Sequence, residues 1–133
     1  DACQGCSQAE WAGHTYQFCD DFGLNWMSAA STCSAYGYYL VTIDDLGEND
    51  FIELEAGSGR WWIGYNDRNW SEGNFFWTGE PSTTGFENWN NGEPNNSGSW
   101  PGEDCAEIAS TYGWQWNDLN CTSSQSWICE LNE

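Results

Sequence analysis

A chain of 133 residues with 21 acidic side chains, two arginines and no lysine carries a formal charge of −19, which excludes nucleic acid as a partner, since phosphate contacts need Lys and Arg. The same deficit of cations disfavours anionic membrane surfaces, and no apolar run approaches the ~20 residues that cross a bilayer. The length suits one domain with a true core, and the 11 tryptophans in a chain that is 17% aromatic make that core aromatic.

Seven cysteines in so short a chain point to an oxidising compartment, hence a secreted, extracellular protein. Cys3-Gln4-Gly5-Cys6 has zinc-like spacing, but the single histidine, His14, and the lack of a second close cysteine pair speak against zinc. The chain opens at Asp1 without a signal-peptide pattern, as a processed chain would.

Residues 1–19 hold Cys3, Cys6 and Cys19 around Trp11 and Thr15-Tyr16-Gln17-Phe18, whose aromatic/polar alternation predicts a short strand. A disulfide from Cys19 to Cys6 or to Cys3, with Cys6 preferred, would staple this segment as a hairpin. An amphipathic helix is expected over 24–36, with Trp26, Ala29, Ala30, Cys33 and Tyr36 on one stripe and Gly37 as terminator. A strand rich in aromatic and β-branched residues follows over 38–43. A second helix is expected over 48–55, with Phe51, Ile52 and Leu54 inward, ended by Ala56-Gly57-Ser58-Gly59. Trp61-Trp62-Ile63-Gly64 reads as a buried strand whose tryptophans serve structure and whose glycine marks a close backbone approach. From 65 to 104 the chain is mostly Asn, Gly, Ser, Thr and Trp, broken by Phe75-Phe76-Trp77, and a loop of that length calls for a function or a metal to hold it. Strands over 105–109, 113–116 and 126–130 close the chain. Two helices with short antiparallel strands make the fold class α+β.

Three motifs cluster late in this order: Glu93-Pro94-Asn95-Asn96, Glu103-Asp104-Cys105 and Trp116-Asn117-Asp118. They supply carboxylates from Glu93, Glu103 and Asp118 and amides from Asn95 and Asn117. Such a donor set suits Ca²⁺, which takes about six to eight oxygens and mixes carboxylate, amide carbonyl and water. Three negative charges on loops repel one another until a divalent ion intervenes, so order in these loops is expected to depend on metal. A cis Glu93-Pro94 bond would turn the Glu93 and Asn95 oxygens toward one point. A plain turn is the alternative for Glu-Pro-Asn-Asn alone, weakened by the two downstream motifs, each beside a cysteine.

Trp62-Ile63-Gly64, Glu93-Pro94-Asn95, Glu103-Asp104-Cys105, Trp116-Asn117-Asp118, Cys121 and Trp127-Ile128-Cys129 together resemble the C-type lectin-like domain, in the same order and over residues 11–130. The resemblance implies a C-type lectin-like α+β fold for 1–133 as a single domain, with an N-terminal disulfide hairpin over 1–19 and a long loop region over about 65–104. It implies that Trp62-Ile63-Gly64 lies at the centre of the core sheet. It pairs Cys33 with Cys129 and Cys105 with Cys121. The first closure is the longer, worth ~4–5 kcal/mol in the chain-entropy picture, and the second puts 103–104 and 117–118 on one frame. Cys3 is then left over, to be capped, free, or bonded to a second chain.

The resemblance also implies function: a calcium-dependent lectin and not an enzyme. The principal calcium would be held by Glu93, Asn95, Glu103, Asn117 and Asp118, which also bind the sugar. Two adjacent hydroxyls displace two waters, and each gives a lone pair to the ion, a proton to a carboxylate, and accepts from an amide NH₂. Glu-Pro-Asn goes with mannose-type ligands (mannose, N-acetylglucosamine, fucose, glucose), whereas Gln-Pro-Asp goes with galactose. An auxiliary calcium maps onto Asp67, Glu72, Asn96 and Asp104, with Glu103 shared through its backbone. One sugar at a shallow site binds at about the millimolar level, ~−4 kcal/mol, so avidity would come from several domains acting together. Trp100, inside the loop, is open to packing or to stacking on a sugar.

Two rival classes remain. Paired carboxylates could serve a glycosidase, but among 21 acids some pair always lies close, and a lone His14 argues against Ser-His or Cys-His catalysis. A lectin-like domain that binds protein or ice is the alternative, since fold does not fix function. Such relatives commonly lose the calcium ligands, all five of which are present in this sequence.

Overall fold

The computed structural model describes residues 5–68, 74–94 and 104–132. The chain begins with a hairpin, β1 (Cys6–Trp11) and β2 (His14–Leu24). Ala12 and Gly13 both take positive φ, the backbone that a two-residue turn needs to match the twist of its strands. Cys6 and Cys19 are partners in the register and are joined by a disulfide. The strand expected at 15–18 is thus the middle of a much longer one.

Helix α1 (Trp26–Ala35) is capped by Asn25, whose side chain accepts from Ser28 N at 2.8 Å, and it buries Trp26, Ala29 and Cys33. Tyr36 does not share that stripe. It stands past the last helical residue as the C-cap, and is 48% exposed. Helix α2 (Leu46–Ala56) is capped by Asp45, which accepts from Glu48 N at 2.8 Å. Its inward face is Glu48, Asn49, Phe51 and Ile52. Leu54, expected inward, is 80% exposed, because two residues past Ile52 lies ~200° around a helix, on the opposite side.

Between the helices only Tyr39–Leu40 (β3) pairs as strand. Val41 still bonds its backbone to Ile128 O and Gly64 N, but Thr42 turns away: its N donates to the Glu130 carboxylate at 3.0 Å and its Oγ1 to the Glu80 carbonyl at 2.6 Å. The remaining strands are β4 (Arg60–Asn66), β5 (Phe76–Trp77), β6 (Cys105–Ala109), β7 (Gln115–Leu119) and β8 (Gln125–Asn132). Strand β7 starts two residues later than expected, since Gly113 and Trp114 both have positive φ and form the turn that precedes it.

Among the described residues all eight strands join one sheet, in the order β1-β2-β8-β4-β6-β7, with β3 added to β8 and β5 to β4. The β4/β8 pairing is parallel, through Trp61↔Ser126 and Trp62↔Trp127. Strand β4 is the middle of this order, and side chains alternate across it. Trp61 and Ile63 join Tyr16, Phe18, Phe51 and Trp116 on one face. Trp62 joins Trp26, Leu40, Trp127 and the Cys33–Cys129 bond on the other. Gly64 is required where it stands: a Cβ there would lie 2.8 Å from the Leu40 carbonyl oxygen. Two of the buried indoles on this face are satisfied, Trp26 Nε1 donating to Ile63 O at 2.9 Å and Trp62 Nε1 to Leu24 O at 3.0 Å, whereas Trp127 Nε1 has no partner among the described residues.

Candidate functional site

The site is built on β6 and β7. They pair antiparallel with Ala106 opposite Asp118 and Glu107 opposite Asn117, and the Cys105–Cys121 disulfide ties the start of β6 to the chain leaving β7. Trp116 anchors β7. Its ring is fully buried and meets Tyr65, Trp77, Phe86 and Trp89 at centroid distances of 5.5–5.9 Å, while its Nε1 donates to Asn49 Oδ1 at 2.9 Å.

The loop that carries Glu93 is laced onto this strand by backbone. Trp116 N donates to Asn88 O and Asn90 N to Trp116 O, both at 2.8 Å, and Glu93 N donates to Asn90 O at 2.9 Å. Gly92 supplies the positive φ of the turn between them, and the Glu93–Pro94 bond is cis. Glu93 is half-buried at the end of this path. Elements that lie far apart in sequence are so brought to one end of the sheet.

The electrostatics of that end are unusual in a chain with two cations. Glu107 is fully buried and takes a bidentate pair from Arg60: Nε donates to Oε1 at 2.8 Å and Nη2 donates to Oε2. Asn117 Nδ2 donates to the same Oε2 at 2.8 Å. The amide of Asn117 thus meets Glu107 with its nitrogen, the end that can donate. Asp118, adjacent, is fully buried.

A second group of acids adjoins the first. Asp67 N donates to Asp104 O at 3.0 Å and the two side chains share a hydrogen bond. Burial and the charge of Asp67, with a smaller push from Asp118, raise the Asp104 carboxyl to about 6. Asp104 Oδ1 is buried with no hydrogen-bond partner among the described residues. A buried carboxylate oxygen left in that state, next to further acids, is what a hard cation would relieve. The donor chemistry of Asp67 and Asp104 therefore fits a hard cation.

The described residues carry only part of each set. Of the principal five, Glu93, Asn117 and Asp118 are placed as above, and Asn95 and Glu103 lie outside the described residues. Of the auxiliary set, Asp67 and Asp104 are in contact, and Glu72, Asn96 and Glu103 lie outside. Cys3 and Trp100 do too. Among the described residues no group of three or more His, Cys, Asp or Glu converges to hold a metal by itself, and no helix is long and apolar enough to cross a membrane.

Three features of this region escaped the sequence reading. The lacing of 88–90 onto Trp116 leaves no mark in the motifs. The role of Glu107 does leave one: in an antiparallel pair closed by Cys105 and Cys121, Glu107 falls opposite Asn117. Away from the site, Glu48 and Glu130 form a buried acidic pair behind α2, with Glu130 paired to His14.

A family model, Lectin C-type domain, matches residues 23–131. The low affinity immunoglobulin epsilon Fc receptor of Mus musculus is 39% identical over 97% of this chain, which spans only 38% of that protein's length. A perlucin-like protein of Mytilus galloprovincialis is 35% identical, over 86% of this chain and 74% of its own. Among solved structures, the cow C-type carbohydrate-recognition domain of CD23, determined in the presence of a GlcNAc2Man3 oligosaccharide, superposes with a TM-score of 0.84 at 30% identity, covering 95% of this chain and 93% of that one.

Proposed function

The chain belongs to the C-type lectin domain family, whose members generally bind Ca²⁺, and we propose that it is a calcium-dependent carbohydrate-binding domain for mannose-type sugars. The observation that carries the reading is the pose of Asn117. Its amide nitrogen is tied to Glu107, which leaves its oxygen as the end not engaged there, and the same strand holds the Glu93 loop by backbone hydrogen bonds.

In this reading Glu93, Asn95, Glu103, Asn117 and Asp118 hold the principal calcium, and Asp67, Glu72, Asn96, Asp104 and Glu103 an auxiliary one. Bound calcium supplies open coordination positions for two adjacent sugar hydroxyls. The protein does the rest. Carboxylates of Glu93 and Glu103 accept the hydroxyl protons. The amide NH₂ groups of Asn95 and Asn117 donate to the hydroxyl oxygens. One Asn117 proton is committed to Glu107, which leaves the second for the sugar. The aromatic floor around Trp116 keeps the donors from moving as ligand enters and leaves. Mannose-type preference is supported by Glu93-Pro94-Asn95 and by the mannose-bearing oligosaccharide named for the cow CD23 domain. An extracellular setting is supported by the three disulfides, and multivalency through Cys3 would supply avidity.

Adsorption to immobilised mannose tests this. Retention should require calcium, and should reverse with chelator and with acid, as carboxylates protonate and metal leaves. Retention in excess chelator, or unchanged down to about pH 4, would contradict it and would favour a lectin-like domain that docks protein or ice.

A further inference from the structure

We infer that Glu107, neutralised by Arg60, is a positioning residue that sets which end of the Asn117 amide faces the calcium and sugar, a role that rests on the calcium reading above. An asparagine carboxamide is nearly symmetric in shape, and a half-turn about its last torsion exchanges oxygen for nitrogen. At a metal site that exchange is decisive, since a carbonyl oxygen coordinates a cation and an NH₂ group repels it. Something must therefore choose between the two.

Glu107 makes that choice as a fixed acceptor. Its carboxylate is fully buried and takes donors from Arg60 on both oxygens. Facing it, the Asn117 nitrogen forms a 2.8 Å hydrogen bond, whereas the reversed amide would set two acceptor oxygens against each other in a dry place. The carboxylate must stay in place for this to hold. Arg60 secures that with a two-pronged grip on Glu107, and its guanidinium lies over the Tyr112 ring at 5.9 Å. One of only two arginines in the chain is spent on a residue that is not itself among the proposed ligands. Groups that orient a ligand from behind commonly change metal affinity by about 10–100-fold when altered.

Side-chain identity at 107 tests the role. Glu107 Oε2 accepts from both Arg60 Nη2 and Asn117 Nδ2, so in Glu107→Gln the side-chain oxygen keeps both donors by taking that place, and the Asn117 amide holds its pose. Calcium affinity of Glu107→Gln by calorimetry should stay within about threefold of wild type. Glu107→Leu removes the acceptor, nothing then selects the nitrogen end of Asn117, and calcium affinity should fall about 10–100-fold. A merely structural Glu107 would lower the calcium-free melting temperature of Glu107→Leu without moving its calcium affinity. Calcium binding by Glu107→Leu equal to wild type, or a loss in Glu107→Gln as large as in Glu107→Leu, overturns the proposal.

Should either variant fail to fold, the unaltered, calcium-free domain still decides the matter by NMR. One Asn117 carboxamide proton should exchange slowly with solvent, and exchange of both as fast as in a solvent-exposed asparagine overturns the proposal. Wild-type protein that takes up no calcium, yet shows the protected Asn117 proton, overturns the calcium reading and with it this role, and the two failures are thereby told apart.

Discussion

Two buried carboxylates in this chain are kept in place by opposite means. Glu107 is held by donors to both its oxygens, from Arg60 and Asn117. Glu48, 4% exposed, has no cation of its own. Burial first, and then the negative charge of Glu130, push its carboxyl up to about 7, against the donors Asp44 N at 2.9 Å and Tyr16 OH at 2.7 Å. Burial raises Glu130 as well, opposed by His14 and Thr42 N. A raised carboxyl favours the neutral acid in the fold. Its contribution is therefore complete below the unfolded value of 4.5 and is lost as pH rises through about 7. We predict that Glu48→Gln, which mimics the neutral acid, removes this dependence. In chelator, unfolding free energy of the wild type should fall relative to the variant by up to ~3 kcal/mol between pH 4 and 8. Parallel pH profiles for the two proteins would show that Glu48 is not the titrating group. Sequence reading cannot find such a pair, since Glu48 and Glu130 look like surface acids on α2 and β8, and only the docking of β2 between them, with Tyr16 and His14, closes the pocket.

Among the elements, β4 is the one that organises the rest, with β8 and β6 paired to it and its two faces in different cores. Trp62 fills the face beneath α1 and donates to Leu24 O. Trp62→Ala should cost about 3–5 kcal/mol and lower the melting temperature with or without calcium. Asn117→Asp should instead abolish sugar retention while lowering the calcium-free melt less than Trp62→Ala does, its cost being the one lost hydrogen bond to Glu107. Equal loss of fold in both would erase this division between scaffold and site. Much of this layer is legible in sequence: both helices, β4, β6 and β8 follow from apolar spacing, caps and glycines. What the sequence conceals is pairing. Nothing local tells β4 to lie parallel to β8, and nothing in the Phe51-Ile52-Leu54 run shows that the inward stripe is centred on Glu48 and Ile52. The 38–43 segment has strand composition throughout, but a carboxylate from β8 and a carbonyl from a distant loop take the hydrogen bonds of Thr42.

At the scale of the whole molecule, the fold gathers negative charge at one end of the sheet, where Arg60 on Glu107 and the charge of Arg68 on Asp104 offset only part of it. The motifs reveal the ligands there by type and order, but their convergence depends on Trp116 and on the lacing of 88–90 to β7, which no motif records. Asp67, Asp104 and Asp118 repel one another as they stand, and that repulsion is the physical case for a divalent ion. Two such ions would reduce the formal charge from −19 to −15, leaving a strongly anionic surface that suits solubility. A ligand that binds only the native state raises stability by ~2.7 kcal/mol at about 100 times its Kd. The most direct test is therefore calorimetric titration of the chelator-stripped domain with calcium. Saturable uptake, accompanied by a melting temperature that climbs with calcium concentration, is the result predicted; no heat of binding and an unmoved melt would contradict the account.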